Sequence, residues 1–140
     1  MNAGKLSVMG RVAMSHWVEA LVLFIFGLVT FYLSGSILFD LFGVRETQGD
    51  YVNIVVFGNL LSSILYFYAV VGFLMRREST MMVLVLALLI LLISGGGLFY
   101  HIVNGGLYEQ KTLGALTLRI FVTLIFIYRA SKIKNIEENL

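Results

Sequence analysis

The chain has 140 residues, 59% of them hydrophobic and 13% charged, with a mean hydropathy of +0.94. Soluble domains carry roughly 25% charged residues, and a chain of this size has too little interior to hide so much apolar surface, so a lipid bilayer is the solvent that fits. The formal charge of +2 comes without a basic stripe interleaved with aromatics, which argues against nucleic acid, and the lack of cysteine excludes disulfides, thiolate metal sites and a cysteine nucleophile.

Proline is also absent, so unbroken helices are expected. A membrane helix needs about 20 mainly apolar residues to cross about 30 Å at 1.5 Å per residue. Four segments qualify: Trp17 to Phe39, Val52 to Met75, Met81 to Tyr100 and Leu113 to Tyr128. A cleaved signal peptide is the alternative for the first, because basic residues precede it and Ser34, Gly35 and Ser36 are small. Its length and the presence of Glu19 favour a retained helix, since the apolar region of a signal peptide runs about 7–15 residues.

Charge then orients the segments. Lys5 and Arg11 precede the first, Arg76 and Arg77 separate the second from the third, and Arg129, Lys132 and Lys134 follow the fourth. The opposite loops hold only Arg45 and Lys111. Cationic short loops stay cytoplasmic, so both termini are expected on that side. Connections as short as the one between Met75 and Met81 make neighbouring helices antiparallel. The expected fold is all-α, an integral membrane four-helix up-and-down antiparallel bundle in a plasma or bacterial inner membrane. No repeat or long linker divides residues 1–140, which read as a single domain. Trp17, Tyr51, Tyr100, Tyr108 and Tyr128 stand near segment ends, as an interfacial aromatic belt does.

The polar residues of the apolar segments are the candidates for function. His16 and Glu19 share one helical face that continues through Leu23, Gly27, Thr30 and Ser34. They make a candidate proton or cation site, or else Glu19 is an interfacial carboxylate paired with Arg76, Arg77 or Arg129. In the second segment Gly58, Asn59 and Ser62 suit helix packing, with Gly58 and Ser62 as a small-xxx-small pair. Ser94, Gly97, His101 and Asn104 form a stripe on the third, and Thr112, Ala115, Arg119 and Thr123 form another on the fourth.

Arg119 lies inside the fourth segment, where a charge at the helix centre costs about 2.5–3.5 kcal/mol, so it is expected to face protein and to seek Glu109 or Asp40. If the two stripes meet, Asp40, His101, Asn104, Glu109 and Arg119 line a non-cytoplasmic pocket, beside a turn for which Gly105 and Gly106 supply the positive φ angles. His16 and His101 fall a bilayer thickness apart, so one protomer cannot bring both to one iron, and no nucleophile, HExxH or paired-carboxylate motif is present. No metal, cofactor or catalytic residue is assigned. The leading expectation is a small accessory or structural subunit acting through helix packing with itself, as a homo-oligomer, or with a larger membrane complex. The alternatives are an oligomeric proton- or cation-coupled transporter using Glu19, and a binder of a lipid, quinone or other amphiphile near His101 and Arg119.

Overall fold

The computed structural model describes residues 2–47 and 49–139. Five helices follow one another: α1 (Ala3–Leu38), α2 (Val44–Thr47), α3 (Asn53–Leu74), α4 (Ser79–Val103) and α5 (Gln110–Glu138), with no strand among the described residues. All but the single turn of α2 are long and apolar enough to cross a membrane.

The helices overrun the apolar segments, most of all at the two termini. α1 starts at Ala3, well before Trp17, and α5 continues past Tyr128 to Glu138. At 1.5 Å per residue the 36 residues of α1 span about 54 Å, far more than a hydrocarbon core of about 30 Å. Hydropathy marks what lipid tolerates, whereas a helix continues as long as its backbone bonds and one face find partners. Asn2 starts α1 by accepting from the backbone N–H of Lys5 at 2.9 Å, satisfying one of the donors a helix start leaves open.

The long helices α1, α3 and α4 end in the same way. Leu41 N–H donates to Ser36 O, Arg77 N–H to Gly72 O, and Gly106 N–H to His101 O, each from five residues on, at 2.8, 2.9 and 2.9 Å. The residue before each donor, Asp40, Arg76 or Gly105, is left-handed, with φ of 54°, 54° and 78°. This is the Schellman arrangement, and only one of the three uses the glycine that makes it free of strain. Gly105 takes the positive φ anticipated from sequence, whereas Gly106 does not.

Neighbouring helices are antiparallel, as the contacts along their lengths show. On α1 and α3, His16 meets Phe73 and Phe31 meets Phe67; on α3 and α4, Ser62 reaches Ala87 O, and a Cβ on Gly58 would strike Ser94 while one on Gly72 would strike Thr80. α3 lies at the centre, packed closely by α1 and α4. α5 joins through longer side chains, with Phe126 against Phe73 and Thr123 against Tyr66. One apolar cluster, around Leu23, Tyr66, Phe73, Leu84 and Phe126, fills the half nearer the termini; a second, around Val55, Leu91, Leu98 and Leu116, fills the other. α1 and α5 touch sparsely, so a seam floored by α3 runs between them. Polar residues collect at both ends of that seam.

Candidate functional site

At the end that holds both termini, helical spacing buries Val12, His16, Glu19, Leu23, Gly27, Thr30 and Ser34 along one face of α1. Arg129 on α5 donates from Nε to Glu19 Oε1 at 2.6 Å, and Glu19 is only 8% exposed. One turn closer to the N-terminus, His16 Nε2 lies 2.9 Å from Glu137 Oε1, the same oxygen that Arg76 Nη1 approaches at 3.8 Å. Glu137 thus joins α1, the α3–α4 turn and the last turns of α5. A cavity of about 250 Å³ opens here, lined by His16, Arg76, Arg77 and Lys134 but also by Glu78, Glu137 and Glu138, so its charges are balanced. The other ring nitrogen, His16 Nδ1, is buried without a partner among the described residues.

Between the ends, a short polar chain crosses from α3 to α5. Thr123 Oγ1 donates to the carbonyl of Arg119 at 2.7 Å, which leaves its oxygen free to accept from the Tyr66 hydroxyl at 2.6 Å. Tyr66 and Thr123 are fully buried, as are Ser62 and Ser63. Ser63 donates to Leu60 O and Ser94 to Ile90 O, so these hydroxyls are satisfied within their own helices.

At the opposite end, the residues expected to form one pocket are distributed over separate places. Asp40 lies against Arg45, Oδ2 to Nη1 at 3.6 Å, and Glu109 accepts from the backbone N–H of Asp50 at 3.4 Å. His101 Nε2 sits 2.9 Å from the carbonyl of Leu107, to which it can only donate, and Asn104 donates to Tyr100 O within its own helix. His101 and Asn104 share a groove with Asn53, Ile54, Gly97 and Tyr100. Arg119 lines a different cavity, and Tyr51 and Val52, which border both, form the wall between them. The stripes on α4 and α5 therefore open to opposite sides of that wall.

The Arg119 cavity, about 190 Å³, sits in the α1–α5 seam. Ser34 and Ile37 of α1, Val55 and Asn59 of α3, and Lys111, Thr112, Ala115 and Arg119 of α5 are among its lining residues. Thr112, Ala115 and Arg119 belong to the stripe read from the sequence, whose fourth member, Thr123, lies against Tyr66 instead. Two buried polar atoms on residues lining it, Arg119 Nε and Asn59 Oδ1, have no hydrogen-bond partner among the described residues. No carboxylate among those residues lies within ion-pair distance of Arg119, and neither Glu109 nor Asp40 takes that place.

The sequence groups Asn59 with Gly58 and Ser62 as packing residues, and the structure also sets Asn59 with Arg119 on the lining of this cavity. Gly58, Asn59 and Ser62 are all buried on α3. Glu137 was missed altogether: it lies beyond the apolar segments, and no local pattern signals a partner 121 residues away. Among the described residues no group of three His, Cys, Asp or Glu side chains gathers where a metal ion could be held. Comparison with known proteins finds no matching family model, curated protein or solved structure.

Proposed function

We propose that the chain is a small integral membrane protein with four spans and both termini in the cytoplasm, serving as a non-catalytic subunit that assembles with further copies of itself or with a larger membrane complex. The observation that carries this reading is the use made of Glu19. It is the one carboxylate within the apolar stretch of α1, and Arg129 holds it 2.6 Å away as a tie between the first and last helices. A transporter built on Glu19 needs that carboxylate released to a proton or cation in each cycle, and the tie opposes release. The side chains turned outward on the long helices, such as Leu21, Ile25, Leu89, Ile93 and Leu118, are apolar and fit lipid or neighbouring helices. Trp17 and Tyr128 at one end, and Tyr100 at the other, are exposed where an aromatic belt would lie.

Extraction of native membrane patches into polymer nanodiscs, followed by mass measurement, tests the assembly. The expected particle contains more protein than one chain of 15.7 kDa. A particle with a single copy and no other protein would sink the subunit reading. In proteoliposomes loaded with a pH-sensitive dye, wild type and Glu19→Gln should leak protons equally slowly; a wild-type flux lost in Glu19→Gln would install the transporter in its place.

A further inference from the structure

We infer that the cavity between α1, α3 and α5 binds the headgroup of an anionic glycerolipid, with Arg119 taking a phosphate oxygen and Asn59 accepting from a headgroup hydroxyl. The inference rests on the chain being embedded in a membrane, but not on its having a protein partner.

Four observations converge on this ligand. First, Arg119 lines the cavity and no acidic residue among the described ones does, in contrast to the cavity at the other end, where three glutamates accompany the cations. A guanidinium at membrane depth with no carboxylate beside it among the described residues calls for a negative occupant, since such a charge is costly there. Second, the two unpartnered atoms are of opposite kinds. Arg119 Nε–H is a donor in want of an acceptor, and Asn59 Oδ1 is an acceptor in want of a donor, on a side chain only 8% exposed. A bare carboxylate or fully ionised phosphate satisfies the first and not the second, whereas a phosphodiester bearing a glycerol hydroxyl satisfies both.

Third, about 190 Å³ is below the roughly 300–1,000 Å³ of sites that enclose a drug-sized ligand, so the cavity suits a headgroup and not a whole amphiphile. The rest of the molecule has somewhere to go: the cavity lies on the sparsely packed α1–α5 seam, walled by Leu33, Ile37, Val55 and Val56. Fourth, the depth is accessible from the interface. Arg119 is nine residues into α5, roughly 14 Å along the axis, and helical side chains lean toward the N-terminus, here toward Lys111 and Thr112 at the helix start. The guanidinium therefore reaches up toward the level where headgroups lie.

The test uses the full chain purified in a neutral detergent and measures thermal unfolding with added phosphatidylglycerol, phosphatidylcholine or soluble glycerol 3-phosphate. Phosphatidylglycerol should raise the apparent Tm by several degrees in a concentration-dependent way, while phosphatidylcholine and glycerol 3-phosphate should not. Arg119→Gln and Asn59→Asp should each weaken the apparent affinity at least tenfold, the second by placing a carboxylate on the wall that the guanidinium shares. Lys132→Gln, which removes an exposed cation elsewhere, should keep the full shift. Arg119→Leu should unfold at or above the wild-type temperature without lipid and lose the lipid shift, an outcome that a merely structural arginine would not give.

Equal shifts with phosphatidylcholine would overturn the proposal, as would a shift retained in both Arg119→Gln and Asn59→Asp. An equal shift with glycerol 3-phosphate would overturn the lipid as its source and assign the cavity to a soluble anion. Failure of the membrane premise has a separate signature, a chain that stays dispersed without detergent.

Discussion

Tyr66 shows how little of a buried polar residue's role is written in its immediate neighbours. Its ring packs against Phe26 in the middle of the bundle, and its hydroxyl, fully buried, ends a chain that runs through Thr123 to the backbone of Arg119. Tyr66→Phe removes one hydrogen bond and leaves Thr123 still donating to the Arg119 carbonyl, so no donor is stranded. The expected loss is about 0.5–1.5 kcal/mol, at the lower end if membrane side-chain bonds behave as they do elsewhere, measured by unfolding in detergent. Thr123→Val is predicted to cost more, because it removes the hydroxyl that the buried tyrosine donates to. Arg119 is the converse case. Its depth was legible from position alone, but its lack of a carboxylate was not, because Asp40 and Glu109 are claimed by Arg45 and by the Asp50 backbone through loop geometry that no periodicity encodes.

Pairs of helices are held by two different devices. α3 and α4 approach through glycine: a Cβ on Gly58 would overlap Ser94 Oγ, one on Gly72 would overlap Thr80 Oγ1, and one on Gly97 would overlap Ile54. Gly58→Ala should therefore destabilise by about 1–3 kcal/mol through overpacking, and Ser94→Gly in the same chain should restore most of the loss, since it vacates the volume that the new methyl needs. The glycine and serine spacing was legible, being a matter of residue size along one face; the helix it faces was inferable only from the short α3–α4 connection. α1 and α5, in contrast, are tied by charge. Removing one partner of a buried pair costs about 3–5 kcal/mol, but the Arg129 side chain is 41% exposed, so Arg129→Met should cost about 2 kcal/mol by leaving Glu19 without its counter-charge. The double variant Glu19→Leu/Arg129→Met should recover most of that, and a double variant as unstable as the sum of the two singles would show that the residues act independently.

At the scale of the whole molecule, antiparallel packing gathers the N-terminus, the α3–α4 turn and the C-terminus at one end, which collects Lys5, Arg11, Arg76, Arg77, Arg129, Lys132 and Lys134. Composition and hydropathy were enough to read four apolar helices, because lipid solubility is a property of each segment by itself. The helical extensions beyond Trp17 and Tyr128 were not legible, because their stability comes from the His16–Glu137–Arg76 contacts between distant parts of the chain. Seven cations against Arg45 and Lys111 predict that the termini end stays in the cytoplasm. The natural lack of cysteine makes that testable with single substitutions at exposed positions. Glu78→Cys, in the α3–α4 turn, should react with a membrane-impermeant maleimide only after cells are permeabilised, whereas Asp50→Cys and Leu107→Cys should react in intact cells. The reverse pattern would invert the orientation and move the Arg119 cavity to the cytoplasmic leaflet. Labelling of all three in intact cells would contradict spanning helices altogether, because residues 50 and 78 bracket α3 and its 22 residues alone, at about 33 Å, are long enough to separate them by a full hydrocarbon core.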